Sequence, residues 1–288
     1  MKIKDKFNLG KQCLSFEVFP PKTSDNYESV IKATDEIAKL KPSFMSVTFG
    51  AGGGTSEYTV SIANRICIEL GVDSVAHLTC ASMNKEQVYN QLQKLKENGI
   101  ENILALRGDI PEGVDPDVPR DFRYANELVE YIKQNGDFCI GGACYPEGHI
   151  ESGSLTKDIE NLKIKVDSGC DFLTTQMFFD NNILYRFLYR IREKGIDIPI
   201  VAGIMPVTNP KQIKRICALS GAELPARFLQ IVDKFGDNND AMQQAGIAYA
   251  TEQIVDLYAN GVNAVHVYSM NKPEVARKIK ENLSSIVE

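Results

Sequence analysis

The chain has 288 residues, of which 43% are hydrophobic and 24% are charged, and it carries a formal net charge of −6. This composition is typical of a globular protein, and the length accommodates one large α/β domain or two modest ones. The acidic balance argues against nucleic acid as the main partner, because binding to nucleic acid usually needs a basic face. The polar segment 1–12 lacks the apolar core of a signal peptide, and no later run is long enough to span a bilayer. We therefore expect a cytoplasmic protein without a membrane partner.

The cysteines and histidines do not form a metal-binding pattern. The seven cysteines are an odd number, contain no Cys-x-x-Cys pair and fall mostly within apolar runs. This distribution predicts buried free thiols. The three histidines include no His-x-His pair, which disfavours a metal-dependent hydrolase. His266 has strand-forming neighbours on both sides, so we expect a hydrogen-bonded residue inside the fold.

Short apolar runs alternate with longer amphipathic segments along the whole chain. The runs that predict strands are 13–20, 44–50, 74–80, 102–109, 139–146, 172–179, 198–206 and 263–270. Helical patterns follow them, the clearest at 84–98, 154–168, 210–219, 225–235 and 239–260. Asn84 and Gln87 are placed as a capping box at the start of one of these helices.

Glycines recur just past the predicted helices, with one βα unit for every ~30 residues. Eight such units predict an α/β protein, a (β/α)8 TIM-type barrel with extra helices between strands seven and eight. We see no linker or shift in composition, so a single catalytic domain over 1–288 is favoured. A doubly wound open sheet is the alternative fold.

Segment 16–22 is the most informative stretch, because Glu17 lies in the middle of an apolar strand just before a Pro-Pro pair. Side chains alternate along a strand, so Glu17 shares a face with Ser15 and the apolar Phe16 lies on the other. A carboxyl in such a place is costly unless it is used or paired. Desolvation raises the pKa of a carboxyl, which suits a proton donor near neutral pH. A glutamate salt-bridged inside the core is the alternative.

Polar side chains recur on one face of the predicted strands, near the C-terminal ends. They are Ser15, Glu17, Ser46, Thr48, His77, Thr79, Arg107, Asp109, Tyr145, Thr174 and Gln176. In a barrel this is the end at which active sites are built. No lysine lies inside a predicted strand, which disfavours a Schiff-base aldolase.

The Gly-rich turn 50–55 follows a strand and precedes a helix, which is the setting of a dinucleotide-binding fingerprint. However, its sixth position is Thr55, and the next predicted strand ends without the acidic residue that would hold a ribose. We favour a βα loop that lets a planar ligand approach the backbone, with the dinucleotide fold as the alternative.

Seven motifs occur in order over nearly the whole chain. They are SFEVFPP at 15–21, SVTFGA at 46–51, AHLTC at 76–80, ALRGD at 105–109, ACYPE at 143–147, TQMFFD at 175–180 and GIMP at 203–206. As a set they resemble the methylenetetrahydrofolate reductase family, and in particular the catalytic barrel of its bacterial members. That family is a (β/α)8 barrel that binds FAD without a Rossmann fold and reduces 5,10-methylenetetrahydrofolate to 5-methyltetrahydrofolate, which feeds methionine synthesis.

The resemblance implies roles for individual residues. Glu17 would be the general acid that protonates N10 of the folate, Asp109 would stabilise the resulting iminium cation, and Gln176 would hydrogen-bond the folate. The residues implied to line or hold the FAD are Thr48, His77, Arg107, Gly108, Asp109, Tyr124, Ala125, Tyr145, His149, Asp158 and Lys165.

Lys272 departs from the family pattern, because bacterial members commonly carry arginine after strand eight. If that arginine binds the glutamate tail of the folate, Lys272 supplies charge without the same bidentate geometry. The alternative is an exposed lysine at a helix start. The chain ends soon after the last helix, so we do not expect the regulatory domain of longer members.

Three functions remain open at this point. The first is the flavin-dependent reductase, with NADH, NADPH or a partner protein as the electron donor. The second is a flavin-free barrel lyase or transferase that acts on a small acid. The third is a folate- or flavin-binding subunit of a larger redox complex. We also expect a homo-oligomer.

Overall fold

The structure, a computed structural model, describes residues 1–7, 10–21, 24–49, 56–110 and 120–287. Eight parallel strands close into a barrel in chain order, because β8 pairs with β1. The strands are β1 (Cys13–Val18), β2 (Met45–Val47), β3 (Ser74–Thr79), β4 (Asn102–Leu106), β5 (Cys139–Cys144), β6 (Phe172–Thr175), β7 (Ile200–Ile204) and β8 (Ala264–Val267). The predicted (β/α)8 barrel is confirmed, and the doubly wound alternative is wrong.

Helices surround the barrel. They are α1 (Ile3–Phe7), α2 (Tyr27–Ala38), α3 (Ser56–Asn64), α4 (Lys85–Glu97), α5 (Ala125–Asn135), α6 (Leu155–Asp167), α7 (Asn181–Glu193), α8 (Pro210–Ser220), α9 (Ala226–Phe235), α10 (Asn239–Ala259) and α11 (Pro273–Asn282). The predicted capping box opens α4, with Asn84 and Gln87 bonded reciprocally. Helices α8 to α10 are the predicted insertion between strands seven and eight. Within the described ranges, none of the helices has the length and apolarity needed to cross a membrane.

The strands alternate as the sequence predicted. Leu14, Phe16 and Val18 of β1 pack outward into the layer between barrel and helices, whereas Ser15 and Glu17 face the interior. The seven cysteines are free thiols, and most of them are buried.

Apolar side chains fill the N-terminal end of the barrel interior. We call this cluster the barrel floor, and its buried members are Ile3, Cys13, Phe44, Val75, Leu104, Cys139, Phe172, Val201 and Ala264. Helix α1 contributes Ile3, whose amide donates to Asn102 Oδ1 at 2.8 Å. Sequence analysis missed this helix, because a five-residue segment rich in lysine shows too little periodicity.

The predicted strands extend too far at their C-terminal ends. The regular strands stop at Val47, Leu106 and Thr175, so Thr48, Arg107 and Gln176 lie in the loops that follow. Alternation of side chains continues past the last ladder hydrogen bond, which is why the sequence pattern places these boundaries poorly. The Gly-rich turn 50–55 lies outside the described residues.

Candidate active site

A cavity of about 1230 Å³ opens at the C-terminal mouth of the barrel and descends to the barrel floor. It exceeds the size usual for one drug-sized ligand, roughly 300–1,000 Å³, and therefore has room for a large ligand or for two. The predicted site residues that line it are Glu17, Thr48, His77, Arg107, Gly108, Asp109, Tyr124, Ala125, Tyr145, His149, Asp158, Lys165 and Gln176. Lys272 is not among the lining residues, and its Nζ donates to Thr208 Oγ1 at 2.7 Å beside the mouth.

Glu17 carries the carboxyl at the centre of the cavity. Its side chain is 17% exposed, and burial raises its pKa to about 8. The nearest ionisable partner is His77, whose Nε2 lies 3.7 Å from Oε2, and burial lowers the pKa of that ring to about 3. Burial thus favours the uncharged form of both side chains, so this contact is not a salt bridge. A protonated carboxyl facing a cavity is the state that a general acid needs, while the catalytic role of Glu17 stays a prediction.

The loop after β8 fixes the end of the strand that carries Glu17. The Asn271 amide donates to Phe19 O and accepts from Phe19 N, both at 2.9 Å, and Ser269 Oγ donates to Glu17 O at 3.3 Å. Met270 and Asn271 have φ of 56° and 53°, a region that costs energy for residues with side chains. The reciprocal bonds of Asn271 offset that cost. Sequence analysis missed this loop, although asparagine tolerates the left-handed region better than most residues.

Below Glu17, a polar layer crosses the interior through His266. Its Nδ1 bonds Ser15 Oγ at 2.7 Å, its Nε2 bonds Ser46 Oγ at 2.8 Å, and Phe44 stacks on the ring. Burial lowers the pKa of His266 to about 3. The prediction of a hydrogen-bonded barrel histidine is confirmed.

Three hydrogen bonds hold the end of β6 beside Gln176. Tyr268 OH donates to Thr175 O at 2.6 Å, Gly203 N donates to Thr175 Oγ1 at 2.8 Å, and Gln176 N donates to Cys144 O at 2.7 Å. A Cβ at Gly203 would lie 2.3 Å from Thr175 O and 2.5 Å from Tyr268 OH, so only glycine leaves room for this arrangement. Sequence analysis missed Tyr268; its place two residues after His266, on the same face, was the available signal.

The rim of the cavity carries charge. Arg107 forms a bidentate pair with Glu151, at 2.5 and 2.8 Å, and Asp109 is exposed two residues further on. Between them, Gly108 has φ +79°, and a Cβ there would lie 2.9 Å from Thr79 Cβ. Glycine is required here because Thr79 occupies the space that a side chain would need, and the Gly108 backbone lines the cavity.

Loop β5–α6 and helix α6 form the opposite wall. The Tyr145 and His149 rings meet edge to face at 4.7 Å. Asp158 is buried and accepts from Ser152 Oγ at 2.8 Å, and Lys165 donates to Ala143 O, with burial lowering the pKa of its ammonium.

This lining fits a flat, anionic ligand such as FAD. It combines a large volume, aromatic edges, the Gly108 backbone and the Arg107 guanidinium. Among the residues that the structure describes, no group of three or more histidine, cysteine or acidic side chains is placed to bind a metal ion.

Comparisons with known proteins identify the family of the chain. The family model for methylenetetrahydrofolate reductase matches residues 2–284. Methylenetetrahydrofolate reductase (NADH) 1 of Arabidopsis thaliana is 38% identical over 300 residues, covering 100% of this chain and 51% of that protein. The 5,10-methylenetetrahydrofolate reductase of Pectobacterium carotovorum is 38% identical over 275 residues, covering 95% of this chain and 91% of that protein. The chain thus spans about half the length of the plant relative and most of the bacterial one.

A solved structure shares the fold. An uncharacterized protein from Clostridium thermocellum that binds two copies of 5-methyltetrahydrofolic acid superposes with a TM-score of 0.71 at 13% identity, covering 98% of both chains. The family model and the two relatives, which span nearly the whole chain, carry the assignment beyond fold. This chain belongs to the methylenetetrahydrofolate reductase family.

Proposed function

We propose that this protein reduces 5,10-methylenetetrahydrofolate to 5-methyltetrahydrofolate, using FAD as its cofactor. The observation that carries the proposal is the Glu17 carboxyl, which lines a cavity with room for both cofactor and substrate and whose pKa burial raises to about 8. The two relatives are named for this reduction, and the Clostridium protein with the same fold binds the proposed product.

In this proposal the protein's own residues open the substrate ring. Glu17 donates its proton to N10 of the folate, the bond from N10 to the methylene carbon breaks, and an iminium cation forms on the substrate. The Asp109 carboxylate at the rim stabilises that cation electrostatically. Bound FAD in its reduced form would supply the hydride. Glu17 then regains a proton from water that enters through the mouth.

The remaining residues bind and orient. We propose that Gln176, held by the clamped end of β6, hydrogen-bonds the folate, and that Lys272 attracts the glutamate tail. The proposed FAD residues are Thr48, His77, Arg107, Gly108, Asp109, Tyr124, Ala125, Tyr145, His149, Asp158 and Lys165. Of the two cations among them, Lys165 is committed to a backbone carbonyl and Arg107 to Glu151, so Arg107 would exchange or share its partner when an anionic ligand binds.

NADH is the proposed electron donor, because the Arabidopsis relative is named as an NADH-dependent reductase. The alternative is a redox partner protein, with this chain as the folate-reducing subunit of a complex. The product would feed methionine synthesis.

Spectroscopy and turnover test the proposal. The purified protein should show flavin absorbance, bleach anaerobically with NADH, and recover colour when 5,10-methylenetetrahydrofolate is added. A colourless protein that binds no added FAD would contradict the proposal and favour a flavin-free lyase. If only a redox partner protein can reduce the flavin, that protein replaces NADH as the proposed electron donor.

A further inference from the structure

The two histidines inside the barrel are comparably buried but differ in their hydrogen bonding. His266 has a serine hydroxyl at each ring nitrogen. His77 is 7% exposed, and its Nε2 has no hydrogen-bond partner among the described residues. An unpaired buried nitrogen carries a desolvation cost and is rare in folded proteins. A hydrogen bond to His77 Nε2 would remove this desolvation cost.

The unpaired nitrogen faces Glu17. Its distance of 3.7 Å to Oε2 is too long for a hydrogen bond but within reach of a small side-chain rotation. Hydrogen bonds between catalytic residues are often long before ligands bind and shorten in the complex.

Other titratable groups near Glu17 are less suited to this partnership. They are His266 and Tyr268 on the β8 side, Tyr145 beyond β5, and Arg107 and Asp109 at the rim. His266 is saturated by two serines, Tyr268 OH donates to Thr175 O, and Arg107 is paired with Glu151. His77 is the residue with an uncommitted ring nitrogen directed at the carboxyl.

We propose that His77 is a positioning residue for Glu17: its neutral ring donates a hydrogen bond from Nε2–H to Oε2 once Glu17 has given up its proton, which leaves Oε1 as the oxygen that faces the ligand. The proton on Oε1 moves to the substrate nitrogen, and His77 keeps its own, so no charge develops on the ring. The identity of the proton acceptor rests on the proposed function, whereas the pairing of the two side chains does not.

This pairing has a direct consequence for the acid strength of Glu17. A carboxylate left in a desolvated site without a donor is unstable, and burial alone raises the pKa of Glu17 to about 8. A hydrogen bond to the ionised form lowers the pKa, toward the operating pH at which a general acid works best.

The test measures the pKa of Glu17 in the protein as purified, with any bound flavin oxidised and no folate added. Infrared difference spectra across a pH series report the protonated carboxyl, and the band absent from Glu17→Gln belongs to Glu17. His77→Phe keeps the ring volume and removes the donor, so the pKa of Glu17 should rise by about one unit, a tenfold change in proton affinity. His77→Gln restores a donor near the Nε2 position and should return the pKa toward the wild-type value.

Ser46→Ala is the matched control, because Ser46 bonds His266 and not His77. It should leave the pKa of Glu17 unchanged. Equal pKa values in wild type, His77→Phe and His77→Gln would overturn the proposal, and so would equal rises in His77→Phe and Ser46→Ala. If His77→Phe does not fold, His77→Asn, which cannot reach the Nε2 position, takes its place.

No folate and no electron donor enter this measurement, and it does not depend on turnover. A protein that failed to reduce folate could still show the His77 dependence, and an active reductase could lack it. Failure of the pairing and failure of the proposed function are therefore distinguishable.

Discussion

The two ends of the barrel interior are built from the same strands but do different work. Floor residues and polar residues of the cavity lie two positions apart in sequence on the same face, as with Phe44 and Ser46, Val75 and His77, and Phe172 and Thr174. At about 3.3 Å per residue, less than 7 Å separates an apolar layer from a polar one.

The difference teaches how the acid is tuned. The floor packs Phe172 and its neighbours against α1, and Glu17 lies on the cavity side of this layer. A carboxyl above such a floor is desolvated, which is why its pKa is raised to about 8. Within the barrel interior, apolar packing lies at one end, and the chemistry that we propose lies at the other.

The largest expected effect separates chemistry from stability at the mouth. Glu17→Gln should lower folate turnover by about 10²–10⁴-fold, because N10 would leave unprotonated, while reduction of the flavin by NADH continues. Stopped-flow measurement of the two half-reactions checks this. Glu28→Gln, an exposed glutamate on α2, is the control. Near-normal folate turnover in Glu17→Gln would remove Glu17 as the acid.

At the floor, the expected effect is on stability. Phe172 is 1% exposed, and Phe172→Ala should lower the free energy of unfolding by about 3–5 kcal/mol. Urea unfolding measures the change. A loss similar to that of an exposed control such as Tyr189→Ala, where the side chain is 68% exposed, would mean that the floor is not the stabilising end.

The buried Glu17 carboxyl should also make the stability of the protein depend on pH. Burial raises the pKa of Glu17 from 4.5 to about 8, so between those values the folded state holds a proton that the unfolded chain has lost. The free energy of unfolding therefore falls as pH rises through this window, by up to about 1.4 kcal/mol per pH unit. Glu17→Gln lacks this contribution, so the free energy of unfolding of wild type minus that of the variant should fall between pH 4.5 and about 8. A difference that does not change with pH would mean that the carboxyl is solvated.

A smaller effect is expected at the hydrogen bonds that hold the end of β6. Tyr268→Phe removes the bond to Thr175 O, worth about 1 kcal/mol, and should raise KM for the folate several-fold by loosening Gln176. Tyr249→Phe is the matched control, because its OH donates to Phe179 O at the same 2.6 Å but further along the loop. Steady-state kinetics that show equal changes in KM for both variants would contradict a specific role for Tyr268.

The smallest effect is expected at Lys272, outside the cavity lining. Lys272→Ala should raise KM for folates with long glutamate tails by up to about fivefold, because an ion pair that solvent reaches contributes roughly 1 kcal/mol or less. Raising the salt concentration should reduce the difference. An unchanged KM would leave Lys272 as a helix-start residue whose Nζ bonds Thr208.

Much of the functional architecture could be predicted from local sequence. The alternation around Glu17, the polar positions at the strand ends and the helical patterns of α8 to α10 all follow from periodicity. The same information predicted His266 inside the barrel, because its flanking apolar residues leave it one face to occupy.

Tertiary structure alone decided how these pieces meet. Asn271 reaches Phe19 across 252 positions of sequence because closure of the barrel brings β8 against β1. Tyr268 reaches Thr175 across 93 positions because β7 pairs with both β6 and β8. Periodicity assigns a residue to a face but contains no distance between residues on different strands. The sequence by itself determined which side chains face the interior, whereas the tertiary structure decided which of them touch. It placed His77 beside Glu17, with an Nε2 that has no hydrogen-bond partner among the described residues.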